Sequence, residues 1–181
     1  MKQLPKHLGG HENRTHTDRS TLEYLKNTFN IKTMYDIGCG PGGMLSLAKQ
    51  MNIDAIGIDG DFTLRHPKEL QIVLHDFTVG PLECETKDLS WSCEFLEHVE
   101  EKFMDNYFSV FEKTKIVCCT FCNVPGKGHH HVNVQNQEYW DKKFLQRGFI
   151  KSVEHTNKIR LISSMDRDFI RNTGTIYLQN V

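Results

Sequence analysis

Apolar residues recur in two registers along the chain, and the switches between them mark out its elements. Short apolar runs fall at Thr33 to Ile37, Asp54 to Ile58, Gln71 to His75, Leu89 to Ser92, Ile116 to Phe121, Ile150 to His155 and Thr175 to Gln179, and each reads as a strand. Helical spacing lies between them. Gly43 to Met51 is one such segment; Glu97 to Lys113 carries Val99, Phe103, Phe108 and Phe111; Gln137 to Gly148 carries Trp140, Phe144 and Leu145. Ahead of the first strand, Ser20-x-x-Glu23 has the form of a capping box before Leu22, Leu25 and Phe29, which predicts a helix over 21–29. Strands alternating with amphipathic helices imply βαβ crossovers, hence an α/β fold: a doubly wound, mostly parallel sheet with helices on both faces. No long helix separates the last two strand runs, so an antiparallel last strand is expected.

Residues 1–17 are polar, contain glycine and show no period, and they are expected to form a flexible leader before a single domain over 18–181. The chain has 181 residues, 38% hydrophobic and 25% charged, the balance of a globular protein that buries most of its surface. With 22 Lys+Arg against 23 Asp+Glu the formal charge is −1, which supplies no basic field for long nucleic acid. No apolar run reaches membrane-spanning length and the start lacks a signal-peptide core, so a cytoplasmic protein is expected. Six cysteines at 39, 84, 93, 118, 119 and 122 lack zinc-finger spacing and are read as reduced, mostly buried thiols.

The candidate chemistry begins at Asp36-Ile37-Gly38-Cys39-Gly40-Pro41-Gly42-Gly43, between a strand and a helix. Glycines let a backbone turn sharply and approach a ligand, and the helix that follows presents unpaired N–H groups. Asp59, followed by Gly60, ends the second strand, where a carboxylate can grip both ribose hydroxyls. Asp76 ends the third, placed to accept from an adenine amino group with Phe77 over the ring. Cys39 and Ser92 complete the expected cofactor site.

This D-x-G-x-G-x-G pattern, met by Asp36, Gly38, Gly40 and Gly42, closely resembles that of the class I S-adenosylmethionine-dependent methyltransferases, over residues 30–181. The resemblance implies a Rossmann-like fold and S-adenosyl-L-methionine as cofactor. The glycine loop would hold its methionine end, Asp59 the ribose and Asp76 the adenine. A dinucleotide dehydrogenase uses the same location, and Gly38, Gly40 and Gly43 also satisfy its G-x-G-x-x-G; Asp36, Asp76 and the short chain favour methyl transfer.

After the fourth strand, Glu94, Glu97 and His98 stand at i, i+3 and i+4, so a helical turn starting near 94 would put two carboxylates and an imidazole on one face. His129, His130 and His131 follow the fifth strand, in a loop that opens onto the same crevice. Such oxygen and nitrogen donors suit a divalent metal. The E-x-x-E-H pattern with a later histidine resembles that of metal-dependent O-methyltransferases, both the branch that methylates the terminal 2′-hydroxyl of small RNAs and the quinone-biosynthesis branch. That resemblance implies Glu94, Glu97, His98 and His131 as ligands of Mg2+, Mn2+ or another divalent ion. His130 or His98 would serve as general base, and the acceptor would be a small-molecule or RNA-end hydroxyl. A solvated helix face or a metal-free, substrate-facing role fits the same residues, as does a cofactor-binding subunit that needs a partner chain. Trp91 and Trp140 could stack on a substrate, although aromatics so spaced are ordinarily core. Arg160, Arg167 and Arg171 precede the last strand and could grip phosphate or carboxylate; solvated charges are the ordinary alternative.

Overall fold

A computed structural model describes residues 3–126 and 128–180; residues 1 and 2 of the expected leader, 127, and 181 at the end of the expected domain lie outside them. The strands are β1 (Thr33–Ile37), β2 (Asp54–Asp59), β3 (Gln71–Leu74), β4 (Lys87–Ser92), β5 (Thr114–Cys119), β6 (Phe149–Lys151) and β7 (Thr175–Gln179). They form one sheet in the order β3-β2-β1-β4-β5-β7-β6. All neighbouring pairs are parallel except those of β7, which runs antiparallel to both β5 and β6. The helices are α1 (Arg19–Phe29), α2 (Gly43–Gln50), α3 (Met104–Phe111), α4 (Gln137–Leu145), α5 (Val153–Ile162) and α6 (Phe169–Thr173). Among the described residues no helix is long and apolar enough to cross a membrane.

Alternation along the central strands sends successive side chains to opposite cores. In β5, Ile116 and Cys118 face one side, Val117 and Cys119 the other. The first core is aliphatic, joining Leu22 and Leu25 of α1, Leu47 and Ala48 of α2, and Ile159 of α5 around Trp91. The second is aromatic: Tyr107, Phe108 and Phe111 of α3 meet Trp140 and Phe144 of α4. There Phe144 stacks on Tyr177 of β7 at 3.9 Å between centroids. Both tryptophans are fully buried and so are core rather than substrate platforms. None of the six cysteines forms a disulfide; Cys39, Cys118 and Cys119 are buried, and Cys84, Cys93 and Cys122 are partly buried.

Three sequence expectations are corrected. The cap of α1 is Asp18, not Ser20: its buried carboxylate accepts from Thr21 N at 2.9 Å and also ties down Ser163 and Ser164 across the fold. The segment 97–113 is not one helix. It is two 3-10 turns, Leu96–His98 and Glu101–Phe103, and then α3, because Val99 and Glu100 adopt extended ψ values of 124° and 143°. The sixth strand stops at Lys151, because Ser152 caps the next turn through His155 N and starts α5. The last strand is antiparallel although two helices, α5 and α6, precede it.

Asp18→Ala removes the α1 cap and leaves two serine contacts unpaired in a buried setting. It is expected to cost about 2–4 kcal/mol, read as a lower urea midpoint at unchanged slope, with Asp18→Asn retaining part of the stability.

Candidate active site

The carboxyl ends of β1, β2, β3, β4 and β5 converge on a crevice of about 760 Å³. The turn out of β1 closes with Gly38 N donating to Ile58 O at 2.9 Å. Gly38 has φ 74°, and a Cβ there would lie 2.8 Å from the Phe95 ring, so only glycine fits. Gly40 N donates to Asp59 Oδ2 at 2.8 Å while Asp61 N donates to Asp59 Oδ1 at 2.8 Å, which fixes that carboxylate at the end of β2. Asp76 is held through Oδ1 by Thr78 N and Oγ1, and Phe77 is buried edge-on against Phe95 and Tyr107. Asp36, Gly38, Cys39, Gly40, Asp59, Gly60, Asp76 and Phe77 all line the crevice. Ser92 does not; its hydroxyl donates to Ile37 O at 3.2 Å and ties β4 to β1.

Residues 3–17 cross the mouth of this crevice in irregular turns. His7 donates to Asp76 Oδ2 at 2.8 Å and His11 to Asp61 Oδ2 at 3.0 Å. Thr15 Oγ1 accepts from Gly43 N at 3.1 Å, His129 Nε2 lies 3.1 Å from Leu8 O, and the Leu8 side chain covers Gly60. None of these contacts was anticipated. The one available signal was the density of histidines and hydroxyls at positions 7, 11, 15 and 16.

The crevice is acidic, and its carboxylates behave differently. Burial, then the charge of Asp59, pushes Asp36 up to about 8. Burial also pushes Asp61 and Asp76 upward, but hydrogen bonds from Thr63 and His11, and from His7 and Thr78, outweigh it and hold both below the usual range.

Glu94 has φ 53°, outside any helix, so the expected face shared with Glu97 and His98 does not form. Its amide donates to Thr120 Oγ1 and its Oε1 accepts from that hydroxyl, both at 2.8 Å. Glu97 and His98 sit in the first 3-10 turn. Val132 N and Asn133 N donate to the Glu97 carbonyl at 2.9 and 3.0 Å, which brings the histidine loop over the turn. His131 Nε2 then lies 4.0 Å from Glu97 Oε1, and its ring meets His98 edge-on at 4.7 Å. One donor atom each from Glu97, His98 and His131 lies within 4.8 Å of the others. Glu97 is fully buried, and neither carboxylate oxygen has a hydrogen-bond partner in normal geometry. Burial and the Glu94 charge raise Glu97 well above the usual carboxylate range, burial raises Glu94, and burial followed by His131 lowers His98 to about 4. His98 and His131 line the crevice; His130, with φ 47°, does not.

Residues 35–119 match the methyltransferase domain family, and this stretch contains the glycine loop, Asp59, Asp76 and the Glu94–His98 segment. This match over 85 of 181 residues, together with the fold, supports a class I S-adenosylmethionine-dependent methyltransferase. Among curated proteins no sequence match is found. Solved methyltransferases share its fold at low identity. The methyltransferase domain of bacterial CtHen1-CN is 14% identical with a TM-score of 0.59, covering 90% of this chain and 97% of that one. Magnesium protoporphyrin IX methyltransferase from Synechocystis PCC 6803, solved with bound S-adenosylmethionine, gives 14% and 0.60 over 89% and 77%. A Haloferax volcanii methyltransferase in complex with the Trm112 activator gives 14% and 0.62 over 90% of each chain.

The methyltransferase domain should show the imprint of Asp36 in its stability. The folded pKa of about 8 stands above the ordinary 3.8, so the cofactor-free fold keeps a proton that the unfolded chain releases. Stability from this group is therefore full below about pH 4 and falls as pH rises towards 8. Asp36→Asn is expected to lose on the order of 2–4 kcal/mol less than wild type between about pH 5 and pH 8, measured by urea unfolding at both values.

Proposed function

We propose that this chain transfers a methyl group from S-adenosylmethionine to a hydroxyl oxygen of a small molecule, assisted by a divalent cation such as Mg2+ or Mn2+. The carrying observation is Glu97: a fully buried carboxylate beside a second one, Glu94, with no hydrogen bond in normal geometry and a donor atom within 4.8 Å of those of two histidines. An isolated buried carboxylate is costly and is ordinarily neutralised or matched by a cation. One oxygen and two nitrogen donors suit a divalent ion. Glu97, His98 and His131 would hold it, and Glu94, which lines the crevice while Glu97 is buried, would complete the set. When bound, such an ion lowers the pKa of a hydroxyl and fixes its approach.

The cofactor is a sulfonium that supplies an already activated methyl group, and the residues present suit it. Asp36, Asp59, Asp76 and Glu94 make an acidic lining for a cation. The glycines at 38 and 40 open the loop beneath it, the fixed Asp59 carboxylate faces the ribose position, and Asp76 with Phe77 takes the adenine end. This chain's part in the reaction is then positioning and exclusion of water. Residues 7–16 roof the crevice, which favours a small acceptor over an RNA end.

A metal-free reaction would need a side chain to take the acceptor's proton. His130 is off the crevice wall, and His98 is half-buried against a second imidazole, an environment that makes a poor proton acceptor but a good neutral ligand. Six cysteines without a disulfide accord with a cytoplasmic setting.

Glu97→Gln is expected to lower turnover at least 100-fold, with the dissociation constant of S-adenosylmethionine changed less than about threefold. Chelation should abolish turnover on a hydroxyl-acceptor library and Mn2+ restore it, and calorimetry should show Mn2+ binding that is lost in Glu97→Gln and His131→Ala. Activity indifferent to chelation overturns the cation's role. Tight cofactor binding without turnover on small molecules or RNA ends, under any cation, would instead mark a subunit that requires a partner chain.

A further inference from the structure

Beside the crevice lies a second cavity of about 310 Å³, which shares Phe121, Asn123, Asn172 and Thr173 with it. The rest of its wall brings together Lys151, Arg160, Gln137 and Asn157, and no carboxylate lines it. Two cations therefore meet in a polar concavity next to the reaction site.

The floor of this cavity is a connected network. Arg160 Nε donates to Gly174 O at 2.8 Å and its Nη2 to Gln137 Oε1 at 3.1 Å. Gln137 Nε2 in turn donates to Asp141 Oδ1 at 2.8 Å, and Lys151 Nζ to Asp141 Oδ2 at 2.7 Å. Tyr177 also donates to Asp141 Oδ1, at 2.8 Å. One carboxylate outside the wall thus balances one of two cations, and the region keeps a net positive charge. The guanidinium is clamped along one edge, while its Nη1 makes no hydrogen bond among the described residues. A guanidinium held in this way is a preorganised donor for planar or tetrahedral oxyanions, because little freedom is left to lose on binding. The other two arginines before the last strand have different settings. Arg171 bonds Asp168 and the carbonyls of Ser163 and Met165, and Arg167 is exposed on the crevice rim.

We propose that this cavity is an oxyanion subsite that takes a phosphate or carboxylate group of the methyl acceptor while its hydroxyl lies in the crevice. The proposal rests on reading the crevice as the methyl-transfer site, and it makes the acceptor an anionic hydroxy compound. Arg160 and Lys151 select that compound, and the shared wall of Phe121, Asn123, Asn172 and Thr173 sets the separation between its two groups.

The test titrates the full chain with inorganic phosphate and, separately, with acetate, following amide chemical shifts without cofactor, cation or acceptor. Saturable binding of at least one anion is expected, with the largest shifts around Arg160 and Asn157, and the tighter arm identifies the anion class. Asn157→Asp places a negative charge on the wall at a side chain with no hydrogen bond among the described residues, and should weaken binding at least tenfold. Arg160→Gln should do the same, and both variants should keep wild-type affinity for S-adenosylmethionine. Absence of saturable binding to wild type, or equal binding by wild type and Asn157→Asp, overturns the subsite. Because this readout needs no turnover, it separates failure of the subsite from failure of the methyl-transfer reading. Once an anionic acceptor is in hand, Asn157→Asp should raise its KM at least tenfold at unchanged kcat.

Discussion

The backbone carbonyl of Glu97 accepts two N–H bonds from the histidine loop, at Val132 and Asn133, and the arrangement of the crevice follows from that junction. A 3-10 turn of three residues has little stability of its own. Held from across the crevice, it presents Glu97 inward and His98 beside it, and the same two bonds place His131 against both. The junction depends on the parallel β4–β5 pairing, since both loops leave the carboxyl ends of adjacent strands. In an open α/β sheet those ends are where ligands gather. Here the adjacency brings together two segments separated by more than thirty residues in sequence.

Burial then turns geometry into chemistry. In water the Glu97 carboxylate would be solvated from every side. At zero exposure, with Glu94 as a neighbour, its charged form is disfavoured by burial and then by the second carboxylate. Asp36 meets the same conflict at the end of β1, where Asp59 is its acidic neighbour. Asp59 escapes because two backbone amides, Gly40 N and Asp61 N, bind its oxygens. The wall is thus a graded series: carboxylates satisfied by amides or histidines, and carboxylates left waiting for positive charge. A sulfonium is a charge that such a series accommodates, and the proposed divalent ion would be a second.

Much of the sheet was legible because period-2 burial and flanking glycines are local signals. The order of its strands follows the usual doubly wound logic, and the acids at the ends of β2 and β3 were placed by counting from the glycine loop. What escaped was set by contacts distant in sequence or by single dihedrals. The spacing of Glu94, Glu97 and His98 suggested a helical face, but Glu94 adopts φ 53° and its amide turns to Thr120 instead. The aromatic pattern from Val99 to Phe111 does mark burial, yet the extended Glu100 interrupts the helix that the pattern alone would continue. Ile150 to His155 looks like a strand until Ser152 caps a turn. Among three consecutive histidines no sequence rule says which one reaches Glu97; backbone bonds at 132 and 133 and the left-handed His130 bring His131 there.

The segment before α1 illustrates the same limit from the opposite direction. It has no apolar period to read, and its contacts are polar bonds spanning 50 residues from His11 to Asp61 and 69 from His7 to Asp76. Such bonds are individually worth about 0.5–1.5 kcal/mol, far less than the aromatic core that anchors the β5, β7 and α4 side of the sheet. The roof is therefore the most weakly held wall of the crevice, whereas the floor is bound into the sheet. That asymmetry suits an enzyme that must admit its ligands and then exclude water: the Asp59 carboxylate is bonded into the strand ends, whereas the element crossing above it is held by a few polar bonds.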